Sequence, residues 1–127
     1  MHRSRLGGLI IDCEGGDLDV AADFWSRALG YPRRASESAE DRGYGVLDTP
    51  ADEPHIEVQR VDHPSRVHLD IETDDVAAEV RRLEALGALC VKRVRDWVVM
   101  QAPTGHRFCV VPATRADFAC RANVWTD

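Results

Sequence analysis

The stretch Arg66 to Thr73 alternates strictly, with Val67, Leu69 and Ile71 interleaved with His68, Asp70 and Glu72. In a strand, that period sets the three ionisable side chains on one face and the three aliphatic ones on the other. An imidazole among carboxylates suits acid–base work or hydrogen bonding to a ligand, because histidine exchanges protons near neutral pH. Three adjacent ionisable groups line a dry core poorly. This face therefore borders water, a cleft or a ligand, the plain version being the solvated side of a half-buried sheet. Asp12 has two readings as well. It accepts a hydrogen bond in a cleft, or it caps the turn Glu14-Gly15-Gly16. Trp97 and Tyr44 offer flat surfaces for stacking, although a Trp in a strand is more often core. His55, His63 and His106 fall at strand ends or in turns, where solvation is expected. No Ser-His-Asp set or phosphate loop is visible.

The bulk numbers narrow the class. A chain of 127 residues with 44% hydrophobic and 30% charged residues fits one ordinary globular domain. Its net charge is −6 and its Lys and Arg are scattered, so no basic stripe exists for nucleic acid. No apolar run approaches the roughly 20 residues that span a bilayer. Met1 to Arg5 is basic, but the residues after it lack the apolar core and cleavage site of a leader. No nucleic acid, no membrane and a cytoplasmic location are the expectations. Cys13, Cys90, Cys109 and Cys120 form no Cys-x-x-Cys pair and read as buried free thiols.

The elements that must position these residues come in two copies. Asp19-Val20-Ala21-Ala22 runs on to Ala28-Leu29-Gly30, and Asp75-Val76-Ala77-Ala78 runs on to Ala85-Leu86-Gly87. The offset is 56 to 57 residues, which points to duplicated supersecondary units. In the first copy, Leu6 to Cys13 reads as a strand. Asp17 caps a helix ending at Gly30, whose stripe Val20, Phe24 and Ala28 (with Ala21, Trp25 and Leu29 beside it) faces the sheet. Tyr31 to Arg34 is extended, Ser36 to Asp41 a polar loop, and Gly43 to Asp48 and His55 to Val61 are strands. In the second copy, Arg66 to Thr73 is a strand. A helix with Val76, Val80, Leu83 and Leu86 comes next, then strands over 88–94, 96–102 and 106–111. Each half is β-α-β-β-β, and the tail after Pro112, with Phe118, Val124 and Trp125, is placed to dock.

Three motifs in this order resemble the vicinal oxygen chelate superfamily, which includes glyoxalases, bleomycin-resistance proteins and extradiol dioxygenases. They are Asp17-Leu18 with Phe24-Trp25 and Leu29-Gly30, then His68 to Asp75, then Ala102-Pro103-Thr104-Gly105-His106-Arg107-Phe108. Asp12-Cys13 and Asp96-Trp97-Val98-Val99 look most like the small glyoxalase-like proteins of bacteria. The resemblance implies an α+β fold of two tandem βαβββ modules forming a curved mixed sheet around a cleft. It implies one domain over 5–112 with modules at about 5–61 and 66–112, a C-terminal tail at 113–127, and a homodimer.

The resemblance also implies a divalent metal held by three or four side chains. Its donor at the start of the fifth strand falls on His68, and that on the fourth strand on Glu57, with Gln59 as neighbour. The first-strand donor falls on Ile10 or, with a longer turn, on Gly8. The last falls on Cys109, whose thiolate would favour zinc, although a Cys in an apolar strand is more often packing. The set is broken at two of four positions, so no metal ligand is assigned. No cofactor is expected to be held firmly, and His68 with Glu57 would hold a divalent metal weakly. His68, Glu57, Gln59, Asp70, Asp12 and Trp97 are the expected contacts of a small-molecule ligand. Three functions remain open: a glyoxalase-like lyase or isomerase for a small oxygenated metabolite, a non-catalytic protein that sequesters a ligand, or a structural or regulatory subunit whose cleft is vestigial. The acids Asp70, Glu72 and Glu57 would suit a cationic ligand.

Overall fold

The computed structural model describes residues 1–34 and 39–126. It divides into two compact units, residues 8–68 and residues 1–7 with 69–127. The strands β1 (His2–Glu14) and β4 (Arg66–Thr73) contribute residues to both.

In residues 8–68, β1 leads through Gly15-Gly16 to α1 (Leu18–Leu29), then α2 (Ala39–Arg42), β2 (Tyr44–Leu47) and β3 (His55–Val61). Asp17 caps α1, its carboxylate accepting from the Asp19 and Val20 amides at 2.9 and 3.2 Å. Gly30 ends the helix at φ +77°, a left-handed conformation that glycine adopts without Cβ strain. β3 lies parallel to β1 and antiparallel to β2. The strand expected after α1 is reduced to one bridge, Arg33 with Leu47. Part of the expected polar loop at 36–41 is helical, since α2 starts at Ala39; residues 36–38 lie outside the described residues.

The sheet face under α1 is apolar. Leu18, Ala22, Ala39 and Val58 form its core, with Ile11, Cys13, Ala21 and Trp25 packed against them. Burying side chains of this size contributes about 1.5–3 kcal/mol for each large one. The helix is rotated from the expected stripe. Leu18, Ala22 and Trp25 turn inward, while Val20 and Phe24 stay 66% and 59% exposed. The reason is close approach: a Cβ on Gly45 would meet Ala39 and Ala22 at 3.2 and 3.3 Å, so small side chains must face the sheet here.

The other unit repeats the plan. β4 is followed by α3 (Val76–Ala85), β5 (Leu89–Val94), β6 (Trp97–Gln101) and β7 (Arg107–Pro112). β7 lies parallel to β4 and antiparallel to β6, as β3 lies parallel to β1 and antiparallel to β2. Val80, Leu83, Ala88, Val98, Met100, Phe108 and Val110 form the core, with Ile71 and Val76 against it. Leu86, expected in the helix stripe, is exposed. Glu79 takes a buried place instead, held by His2 and Arg82.

The tail folds back as α4 (Phe118–Arg121) and β8 (Asn123–Trp125), with Phe118 buried and β8 antiparallel to His2–Ser4 of β1. Trp125 Nε1 donates to Ser4 Oγ at 2.8 Å, and the Arg82 guanidinium lies 3.9 Å from the Trp125 ring centre. The cysteines are free, but none is buried: Cys90 and Cys120 are exposed, Cys13 and Cys109 half-buried. No helix among the described residues is long and apolar enough to cross a membrane.

Candidate functional site

Register decides what the face opposite α1 carries. Gly8, Ile10 and Asp12 of β1 stand beside His55, Glu57 and Gln59 of β3, and β2 adds Val46 and Tyr44 beside Glu57 and Gln59. The intervening residues Ile11, Cys13 and Val58 point into the core under α1. Period-two alternation therefore loads one side of the sheet with polar groups because packing occupies the other side.

Asp12 and His68 meet on this unit. Asp12 Oδ2 lies 2.7 Å from His68 Nδ1, with the carboxylate 2% exposed and the imidazole 14% exposed. A carboxylate accepts, so Nδ1 carries the hydrogen and donates, and Nε2 is the acceptor nitrogen of the neutral ring. This is the arrangement that orients a histidine for proton transfer. Asp12 Oδ1 is buried and has no hydrogen-bond partner among the described residues. A buried acceptor without a partner is costly, so a donor brought by a ligand would relieve it. Asp12 Oδ2 is thus bonded to His68, and in the following turn the Gly15 amide donates to Val61 O.

Glu57 and Gln59 are half-buried on the same face. His55, expected to be solvated, packs its ring on Gly8, and its Nε2 is buried. The glycine at position 8 was the signal for this, since a strand glycine marks close approach. Tyr44 stays partly exposed, with the Arg42 guanidinium 5.5 Å from its ring centre.

The remaining candidates belong to the other unit. Asp70 is buried and is the register partner of Cys109, a carboxylate oxygen and the thiol lying within 4.8 Å. Glu72 is buried and held by Arg5 at 2.5 Å, which also binds Asp117 at 2.7 Å. The alternating acids of β4 are thus not a solvated face: Val67 and Leu69 are exposed, while Asp70 and Glu72 are buried. Arg5, far away in sequence, supplies the opposite charge that lets Glu72 be buried. Trp97 is half-buried at the start of β6, beside Val94.

The donor set implied for a family metal does not assemble at those positions. Ile10 is the register partner of Glu57 and is a buried aliphatic side chain, Gly8 has none, and His68 Nδ1 is engaged by Asp12.

Residues 8–111 match the family model described as a glyoxalase-like domain. The chain belongs to that family. No curated protein matches this glyoxalase-like chain in sequence. Among solved structures it resembles a hypothetical protein from Bacillus halodurans, with TM-score 0.64, 11% identity, and 87% of this chain and 95% of that one covered. Methylmalonyl-CoA epimerase from Mycobacterium tuberculosis gives TM-score 0.59 at 19% identity, covering 86% of this chain and 89% of that one. A glyoxalase/bleomycin resistance protein/dioxygenase superfamily member from Vibrio splendidus gives 0.55 at 15%, covering 83% and 97%. These likenesses show the fold, an α+β arrangement of βαβββ-like modules around a mixed sheet.

Proposed function

We propose that this glyoxalase-like protein binds a small oxygenated metabolite and transfers a proton on it, as a lyase or isomerase, through His68 positioned by Asp12. The observation that carries the reading is the 2.7 Å contact from a buried carboxylate to His68 Nδ1. With Nδ1–H fixed, Nε2 takes a proton from a carbon or hydroxyl next to a carbonyl, and Asp12 stabilises the imidazolium that forms. Such a positioned base contributes roughly 10²- to 10⁴-fold in rate. In this reading Gln59 donates to ligand oxygens and Glu57 accepts from ligand hydroxyls. The name epimerase borne by some structural neighbours denotes inversion at a stereocentre, which is proton-transfer chemistry of this kind.

A cationic ligand is the weaker alternative, because Glu72 is already neutralised by Arg5. A homodimeric, cytoplasmic protein with its domain at 5–112 and an appended tail belongs to the same reading. The test is a thermal-shift screen against 2-oxo and 2-hydroxy acids and their thioesters, followed by solvent deuterium exchange on each hit. The reading expects exchange in the wild type and its loss in His68→Ala. Binding without exchange would make this a sequestering protein, and binding unchanged in His68→Ala would remove His68 from the site.

A further inference from the structure

Val98, Met100, Phe108 and Val110 point into the core under α3, so Trp97, Val99, Gln101, Arg107 and Cys109 between them point to the other side of the sheet. Gln101 and Arg107 are register partners, both half-buried. Arg107 Nε donates to Gln101 Oε1 at 3.0 Å. That contact sets the plane of the guanidinium and engages the oxygen of the amide. Arg107 Nη1 and Nη2 and the Gln101 amide nitrogen have no further partner among the described residues. A guanidinium has N–H donors and no acceptor, and the amide nitrogen is likewise a donor, so this spot offers donor hydrogens alone. Its positive charge is half out of water beside a neutral partner, which an anion would compensate. The next row carries one charge of each sign, Asp70 beside Cys109 and Lys92 beside Val99. Arg107 is then the net charge to be matched, and a monoanion matches it. Beyond it along β6 the same side turns apolar, with Val99 and then Trp97, both half-buried. Four residues of strand span about 13 Å, room for an aryl or alkyl body.

We propose that Arg107 and Gln101 bind the carboxylate of a small organic acid whose apolar body lies over Val99 toward Trp97. Nη1 and Nη2 form the fork that takes the two carboxylate oxygens, and the Gln101 amide adds a third donor. Gln101 Oε1 holds the fork in its plane, so less freedom is lost when the acid binds. The proposal goes beyond the Asp12–His68 reading and does not depend on it, because it is read by binding without turnover.

The test titrates the full-length protein with phenylbutyrate by calorimetry, following the Arg107 and Gln101 side-chain signals in NMR. The expected result is saturable binding of one equivalent per chain, with both signals shifted. Phenylbutanol has the body without the charge and should bind about tenfold more weakly or worse, the worth of a hydrogen bond to a charged group. Arg107→Ala should lose about tenfold or more for the same reason. Arg107→Lys keeps the charge and loses the fork; it should also weaken binding about tenfold, and it is the substitute if Arg107→Ala does not fold. Inorganic phosphate should displace phenylbutyrate no better than acetate does. No saturable binding in the wild type, phenylbutanol bound as tightly as the acid, affinity unchanged in Arg107→Lys, or phosphate bound in preference to the carboxylate would overturn the proposal.

Discussion

Glu79→Ala removes the acceptor of the hydrogen bonds from His2 Nε2 at 2.8 Å, Arg82 Nε at 2.8 Å and Arg82 Nη2 at 2.7 Å, and of the one from the Ser4 side chain. The His2 side chain is 1% exposed and Glu79 0%, so the imidazole loses its acceptor where water has little access. Arg82 keeps 23% of its side chain in solvent and recovers part of its hydration. Breaking a buried charged pair costs about 3–5 kcal/mol, and partial rehydration of Arg82 places this case near the lower end, at about 3 kcal/mol. Glu79→Gln keeps the shape and one acceptor oxygen and should lose about half as much. Burial alone would raise the Glu79 carboxyl, but hydrogen bonds from Arg82, His2 and Ser4 and the Arg82 charge hold it below the ordinary carboxylate range. A depressed folded-state pKa means that this contribution is complete above the ordinary value and is lost as pH falls through the folded one. Urea unfolding with an unchanged denaturant slope measures both effects. A loss under about 1 kcal/mol at neutral pH, or a gap between wild type and Glu79→Gln that does not close in acid, would refute the reasoning.

Gly7→Ala brings a Cβ to within 2.9–3.1 Å of the Glu72 side chain, which Arg5 holds in place. A stability loss of about 1–3 kcal/mol is expected in the same urea assay, and a neutral result would mean that Glu72 moves freely. Phe24→Gln should cost no more than about 1.5 kcal/mol, because Phe24 lies on the outer side of α1 and loses only its edge contact with Trp25; a loss above about 2 kcal/mol would put that face of the helix in the core. Cys90 and Cys120 should react with a disulfide reagent in the native state well before Cys13, whose thiol is raised by burial and by the Asp12 charge. Counting labelled sites by mass spectrometry at increasing pH checks the order.

Legibility in the sequence tracks physical locality. β4 runs from Arg66 to Thr73 as its alternation predicts, and the cap at Asp17 is where the short-range signal places it. The facing of α1 was not legible. Two stripes compete on that helix, and Gly45, a tertiary neighbour, selects the one with Ala22. Alternation likewise sorted β4 into two faces but not which is covered, since that depends on Arg5 reaching Glu72 across 67 residues. Asp12 and His68 were both singled out, yet their pairing across 56 residues needed the fold. His55 was misplaced because a strand-end histidine looks solvated until the glycine beside it in the sheet is known.

The nitrogen chemical shifts of the His68 ring, recorded at a pH where the imidazole is neutral, test the Asp12–His68 pair most directly. Protonated Nδ1 and bare Nε2 in the wild type, with the preference lost in Asp12→Asn, is the predicted result. A ring protonated at Nε2, or a tautomer ratio that Asp12→Asn leaves unchanged, would contradict a histidine set for proton transfer by its buried carboxylate.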